Sequence, residues 1–193
     1  MKPLRIGVLA LQGNFREHGQ MLRRLGADVV EVRKADQLDG LDGLVIPGGE
    51  STTFTRLMQL YGLDEGVRRF QRPVFGTCAG MIVLDRDHLG LVDLAVRRNA
   101  FGRQVASFET DLPVAGLDEP VRAVFIRAPW VEEVSPDVEV LAKVEPRPGV
   151  PAEGRIVAVR QGNLLATSFH PEITGDTRVH RLFVDLVRER AGG

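Results

Sequence analysis

Pro73-Val74-Phe75-Gly76-Thr77-Cys78-Ala79-Gly80 decides how this chain is read, because an apolar run leads straight into its only cysteine, with a glycine two positions to either side. An apolar run that stops at Gly-x-Cys-x-Gly has the form of a nucleophile elbow, in which a buried strand turns sharply into a helix and lifts one side chain out of the sheet. Gly76 and Gly80 remove side chains where strand and helix must approach, and the residue at the apex takes a strained backbone. The turn points the first N–H groups of the helix at whatever the sulfur attacks, and the positive end of the helix favours a thiolate. On this stretch alone Cys78 is either a nucleophile or a small buried filler, the common fate of an intracellular cysteine.

Upstream, Leu4 to Leu11 is apolar nearly throughout, as in a strand buried on both faces of a parallel sheet. Phe15, His18, Leu22 and Leu25 then recur at helical spacing, with Gly26 as a cap. Asp28 to Arg33 and Gly43 to Pro47 read as further strands. The second ends in Gly48-Gly49-Glu50-Ser51-Thr52-Thr53 before a helix carrying Phe54, Leu57, Met58 and Tyr61. With Val74 to Thr77 as the fourth strand, this alternation predicts βαβ units and an open parallel sheet whose ligand site lies beyond the carboxyl ends of its strands. Both glycine turns fall at that edge.

Downstream the pattern changes. Leu94 to Val96, Gln104 to Phe108, Arg122 to Ile126 and Val138 to Val144 are short and follow one another without an obvious helix, which predicts antiparallel strands or an edge extension. Glu145 to Gly154, with three prolines and two glycines, reads as an exposed loop. Arg155 to Arg160 and Leu164 to Phe169 form a hairpin about Gln161-Gly162-Asn163, and the second strand ends at His170-Pro171-Glu172. A last amphipathic helix carries Val179, Leu182, Phe183, Leu186 and Val187 on one face. The whole, residues 1–193, is expected to be one domain.

Composition narrows the function classes. Lys plus Arg number 25 against 26 Asp plus Glu, which gives no electrostatic reason to expect nucleic acid or a membrane surface as partner. No apolar stretch approaches the roughly 20 residues of a membrane helix. One cysteine makes no internal disulfide and the first residues lack a signal-peptide profile, so a reducing cytoplasm is expected.

A cysteine nucleophile needs a base that takes its proton and later returns it to the leaving group. His18 and His180 fall inside helices and His88 in a short polar loop, whereas His170 sits just past a buried strand. Pro171 biases His170 toward extended geometry, in which residues two apart project to one side, so the Glu172 carboxylate can orient the imidazole. Alone, His-Pro-Glu could be a mere turn; beside the elbow it reads as base and orienter. Gly48 to Ser51 lacks the spacing and lysine of a P-loop and fits better as a second source of N–H groups for an oxyanion. Arg98 and Arg127 could clamp a carboxylate or simply face solvent.

With Gly76 to Gly80, Pro47 to Thr53 and Ser168 to Glu172 together, the chain resembles the class I (triad) glutamine amidotransferases. Leu11-Gln12-Gly13 with Arg16-Glu17-His18, Arg98 to Gln104, and Phe125 to Pro129 are similar to the glutaminase subunits of pyridoxal 5'-phosphate synthase. The resemblance implies a flavodoxin-like α/β fold: an open, mostly parallel sheet with helices on both faces and a small antiparallel extension. It implies hydrolysis of L-glutamine to glutamate and ammonia, with no cofactor or metal. The ammonia passes through a channel to a synthase subunit in a hetero-oligomer. By matched position Cys78 is then the nucleophile, His170 the general base and acid, and Glu172 the orienter. Gly49, Glu50, Ser51, Arg98, Ile126 and Arg127 hold the glutamine, and N–H groups near Gly48 and Ala79 form the oxyanion hole, where one lost donor costs about 3 kcal/mol in the barrier. Gln12 lies in a loop that faces the synthase. Relative to the family pattern, the segment between Leu84 and His88-Leu89-Gly90 is short and the loop at Glu145 to Gly154 long. The same elbow could instead serve another synthase or a stand-alone cysteine hydrolase, but the latter usually has a histidine directly after the cysteine, where this chain has Ala79.

Overall fold

A computed structural model describes residues 2–101, 107–146 and 154–192 of the chain. Its first half alternates strand and helix: β1 (Arg5–Leu9), α1 (Phe15–Arg24), β2 (Asp28–Val32), a 3₁₀ turn at Ala35–Leu38, β3 (Gly43–Ile46), α2 (Ser51–Leu60), α3 (Leu63–Arg69), β4 (Val74–Thr77) and α4 (Ala79–Leu84). Strands then dominate: β5 (Leu94–Arg97), β6 (Ser107–Leu112), β7 (Val121–Ile126), β8 (Trp130–Val134), β9 (Glu139–Val144), β10 (Arg155–Gln161) and β11 (Leu164–Thr167), before α5 (Arg178–Ala191).

The main sheet runs β2-β1-β3-β4-β11-β10-β8-β5, with β9 also paired to β10, while β6 and β7 form a separate two-stranded sheet. β2, β1, β3, β4 and β11 are parallel neighbours, and β10, β8, β5 and β9 join antiparallel. This is the expected open, mostly parallel sheet with a small antiparallel extension.

Successive strand residues serve opposite faces, as a period of two requires. Val45 and Phe75 pack in one cluster with Leu22 of α1 and Val179, Phe183 and Val187 of α5. Leu44, Ile46 and Val74 pack in the other with Phe54 and Met58 of α2, Leu63 and Val67 of α3 and Met81 of α4. Helices therefore cover both faces, and the short central strands read as continuous apolar runs because neither face meets water.

The structure departs from the sequence reading at several ends. β1 stops at Leu9, short of Leu11. A helix not expected from the sequence, α3, begins after Gly62, whose left-handed backbone (φ 65°) ends one helical run and starts another. β8 was also unexpected, its apolar positions interrupted by Glu132 and Glu133, which face solvent. The strand anticipated at Gln104 to Phe108 starts at Ser107 and runs to Leu112; residues 104–106, and most of the loop at Glu145 to Gly154, lie outside the described residues. β11 ends at Thr167 rather than Phe169, because the Ser168 N–H donates to Val157 O (2.8 Å) and the His170 N–H to Val124 O (2.9 Å), pulling the chain off the β4 edge. Among the described residues no helix is long and apolar enough to cross a membrane.

Candidate active site

The elbow is built by close backbone approach. Cys78 stands between β4 and α4 at φ 50°, ψ −105°, a region that non-glycine residues rarely occupy and that the surrounding structure must enforce. A Cβ on Gly76 would sit 2.6 Å from the Gly80 carbonyl oxygen and 2.7 Å from a Leu84 methyl, and one on Gly80 would collide with the Ile46 carbonyl of β3. The glycines on either side of Cys78 are thus the residues that let helix, turn and neighbouring strand pack together. The Cys78 N–H donates to Thr167 O at 2.8 Å, and the sulfur lies 4.0 Å from the Ile126 carbonyl oxygen.

That Thr167 contact carries the second half of the site. β11 lies parallel to β4 with Thr167 opposite Thr77, so the chain leaving β11 reaches His170 beside the sulfur. His170 Nδ1 stands 2.7 Å from Glu172 Oε1, and Asn14 Nδ2 donates to the same oxygen at 3.0 Å. Both His170 and Glu172 are buried. Burial pushes the imidazole down, but hydrogen bonds to Cys78 and Glu172, with the Glu172 charge, outweigh it and hold His170 at about 10. Burial pushes the Glu172 carboxyl up, and neighbouring His18, His170 and Asn14 outweigh it and hold it at about 2. A cationic imidazole held by an ionised carboxylate and hydrogen-bonded to a sulfur is the setting in which a thiolate attacks.

The sulfur opens onto a cleft of about 490 Å³, within the range of small-molecule sites. Of the residues expected to act as triad, substrate holders or oxyanion hole, all but Ala79 and Glu172 line it. Glu172 stands behind His170; Ala79 opens α4, so its N–H is among the donors that a helix leaves free at its start. The far wall comes from Arg98 and Asn99 after β5, and from Ile126 and Arg127 at the end of β7. Among the described residues the non-glycine positions with left-handed backbone are Cys78, Asn99 (φ 46°) and Arg127 (φ 45°), and all three line this one cleft. Strain of this kind gathers at sites where the structure over-determines the backbone.

The glycine turn after β3 forms the near wall. A Cβ on Gly48 would come within 2.6 Å of His170 Cε1, and Gly13 has room only for a hydrogen where the Gly48 carbonyl packs against it. Glu50 caps α2, accepting from Thr52 N at 3.0 Å and Thr53 N at 2.7 Å; the Thr53 side chain first, and then these N–H bonds, hold its carboxyl at about 2. Arg98 Nη2 donates to Thr52 Oγ1 at 3.1 Å and lies 3.7 Å from Glu50 Oε1, tying far wall to near. Gln12 Nε2 donates to Glu50 O at 2.6 Å.

Sequence reasoning passed over Asn14 and set His18 and His180 aside as helical, yet all three converge on or behind Glu172. Asn14 and His18 are four residues apart across the start of α1, a spacing that puts two side chains on one face; that was the available signal.

The model of the SNO glutamine amidotransferase family matches residues 8–189. A protein of Nocardia farcinica named pyridoxal 5'-phosphate synthase subunit PdxT is 59% identical, the alignment covering 97% of this chain and 88% of that one. Its namesake in Rhodococcus opacus is 57% identical over 97% and 98% of the two chains. A crystal structure described as a glutamine amidotransferase superposes with a TM-score of 0.86 at 47% identity, covering 95% of this chain and 98% of that one. By this agreement over nearly its full length, the chain belongs to the SNO glutamine amidotransferase family.

Proposed function

We propose that this chain is a glutaminase that hydrolyses L-glutamine to L-glutamate and ammonia and supplies the ammonia to a synthase subunit making pyridoxal 5'-phosphate. The observation that carries the chemistry is the buried line from Cys78 through His170 to Glu172, with 2.7 Å between the last two, opening on a cleft lined by every left-handed non-glycine residue described. The partner and product rest on relatives that carry the name of a pyridoxal 5'-phosphate synthase subunit at 57–59% identity.

In this reading the Cys78 sulfur attacks the side-chain amide carbon of glutamine. Backbone N–H groups at Ala79 and beside Gly48 hold the developing oxyanion. His170 protonates the departing nitrogen, ammonia leaves, and a thioester remains. The same imidazole then takes a proton from water as it attacks the thioester, releasing glutamate and restoring the sulfur. Glu172 holds His170 in one tautomer throughout. Gly49, Glu50, Ser51, Arg98, Ile126 and Arg127 hold the glutamine, the two arginines being the natural partners for its carboxylate. Gln12, bonded to the Glu50 carbonyl, belongs to the face that meets the synthase in a hetero-oligomer, across which ammonia passes without entering solvent. A reducing cytoplasm suits the single thiol.

Ammonia release from glutamine by the purified chain, alone and with its synthase partner, tests the reading. Turnover that rises on adding the partner and disappears in Cys78→Ala is expected; no ammonia in either condition, or equal release by the variant, would overturn it.

A further inference from the structure

Behind Glu172 lies a histidine pair that the proposed reaction does not use. His18 of α1 and His180 of α5 are both fully buried, and His18 Nδ1 meets His180 Nε2 at 2.8 Å. The other His18 nitrogen, Nε2, stands 3.0 Å from Thr77 Oγ1 and 3.4 Å from Glu172 Oε2. That carboxylate oxygen has no hydrogen bond of its own, whereas Oε1 is shared by His170 Nδ1 and Asn14 Nδ2. His180 Nδ1 is likewise unpaired.

The proton positions follow from what each nitrogen faces. Burial holds both rings below their ordinary range, His180 at about 3, so each carries a single N–H. If His18 bore its proton on Nδ1, it would donate to His180 Nε2. The His180 proton would then sit on Nδ1, buried with nothing to accept it, and a His18 lone pair would face the carboxylate. With both protons on Nε2, His180 donates to His18 Nδ1 and His18 donates toward Thr77 and Glu172. Only a lone pair at His180 Nδ1 is then left over. An orphaned buried donor together with a lone pair against an anion is the costlier arrangement.

The remaining groups that face the pair do not change this choice. They are Glu172 and His170 from the loop after β11, Asp176 ahead of α5, and Glu17 on α1. Asp176 is engaged by Arg178 and Glu17 is exposed, which leaves Glu172 as the buried anion.

We propose that His18, fixed by His180, is a positioning residue for Glu172: its Nε2–H holds the second carboxylate oxygen and thereby keeps the first on His170 Nδ1. The chain of contacts then runs Cys78, His170, Glu172, His18, His180, joining β4, the loop after β11, α1 and α5. At 3.4 Å the His18–Glu172 contact is long for a hydrogen bond, and such bonds tighten in catalytic sites once substrate is bound.

Two measurements test this. Imidazole ¹⁵N spectra of the wild-type chain, which need no substrate, should show His18 and His180 both protonated on Nε2; a proton on His18 Nδ1 overturns the proposal. The kinetic arm rests on the proposed glutamine hydrolysis and uses the complex with the synthase. His18→Leu keeps bulk and removes the donor, while His18→Gln offers an amide N–H near the position of Nε2. Leu should lower kcat about 10- to 100-fold with KM for glutamine unchanged, and move the His170 titration, followed by its ring resonances, down by about one pH unit. Gln should restore most of both. A folded Leu variant with kcat and His170 titration unmoved, or equal impairment by Leu and Gln, overturns the assignment of a positioning role. If the Leu variant does not fold, the wild-type tautomers and the Gln variant decide. Absence of glutamine turnover in the wild-type complex would instead count against the proposed function and leave the tautomer reading standing.

Discussion

The parallel strands and the antiparallel strands give the cleft different things. From the parallel side, the ends of β3, β4 and β11 bring Gly48, Cys78 and His170, all buried and so closely packed that a Cβ on Gly48 would have no room beside the His170 and Cys78 side chains. From the antiparallel side, β5 and β7 bring Arg98, Ile126 and Arg127, all exposed. Parallel strands with both faces covered cannot shift without breaking two packed layers, so they can hold reacting atoms to within a fraction of an ångström. A wall of exposed side chains can adjust to a substrate and dismiss its product. The parallel side should therefore govern kcat and the antiparallel side KM.

Substitutions can break that division or sharpen it. Cys78→Ala should abolish glutamine hydrolysis, by at least about 10⁴-fold in kcat, while glutamine binding, measured calorimetrically in the complex, persists. Loss of binding as well would place the sulfur among the substrate holders. Glu172→Gln should lower kcat on the order of 10³-fold. Without the carboxylate His170 falls from about 10 toward its ordinary 6.5, so the imidazolium is lost at lower pH and the basic limb of the kcat profile moves down; an unmoved limb would separate Glu172 from the titration.

Gly80→Ala drives a methyl into the β3 backbone and should cost about 3 kcal/mol of stability, seen as a melting point lower by roughly 6–12 °C. A variant as stable as the parent would show that the elbow is not held by close approach. On the opposite side, Arg127→Ala should raise KM about 10- to 50-fold and leave kcat within a factor of two or so; a drop confined to kcat would dissolve the comparison. Smallest is Gly162→Ala in the turn between β10 and β11, where φ is 58° but the space is open. About 1 kcal/mol of strain is expected in thermal unfolding, with glutamine turnover unchanged.

The parallel half of the fold was legible because each strand is a short apolar run closed by glycine or a polar turn, and that pattern survives whatever packs around it. The antiparallel side was harder to read. β8 hides its apolar positions behind Glu132 and Glu133, and α3 follows a glycine that looks like an end rather than a restart. In the site, Cys78, His170 and Glu172 were found because a two-residue spacing in an extended chain and a glycine pair about a cysteine are local geometry. Arg98 and Arg127 could be read from the residues alone either as carboxylate clamps or as surface cations, and only the family resemblance favoured the first, since an arginine in a loop carries no local mark of its use.

Which segments end in reactive or N–H-presenting turns is written locally in the chain, because strand, elbow and His-Pro-Glu geometry depend on residues no more than a few positions apart. Which of those ends meet is set by the packing of the whole chain. β11 follows β10 in a hairpin yet lies beside β4, and that placement sets His170 against a sulfur 92 positions earlier. His18 and His180, 162 positions apart, touch only because α1 and α5 cover the same face of the sheet. The reason is physical: turn geometry is set by local sterics, whereas strand neighbours and buried polar partners are chosen by which packing buries the most apolar surface while leaving the fewest polar groups unpaired.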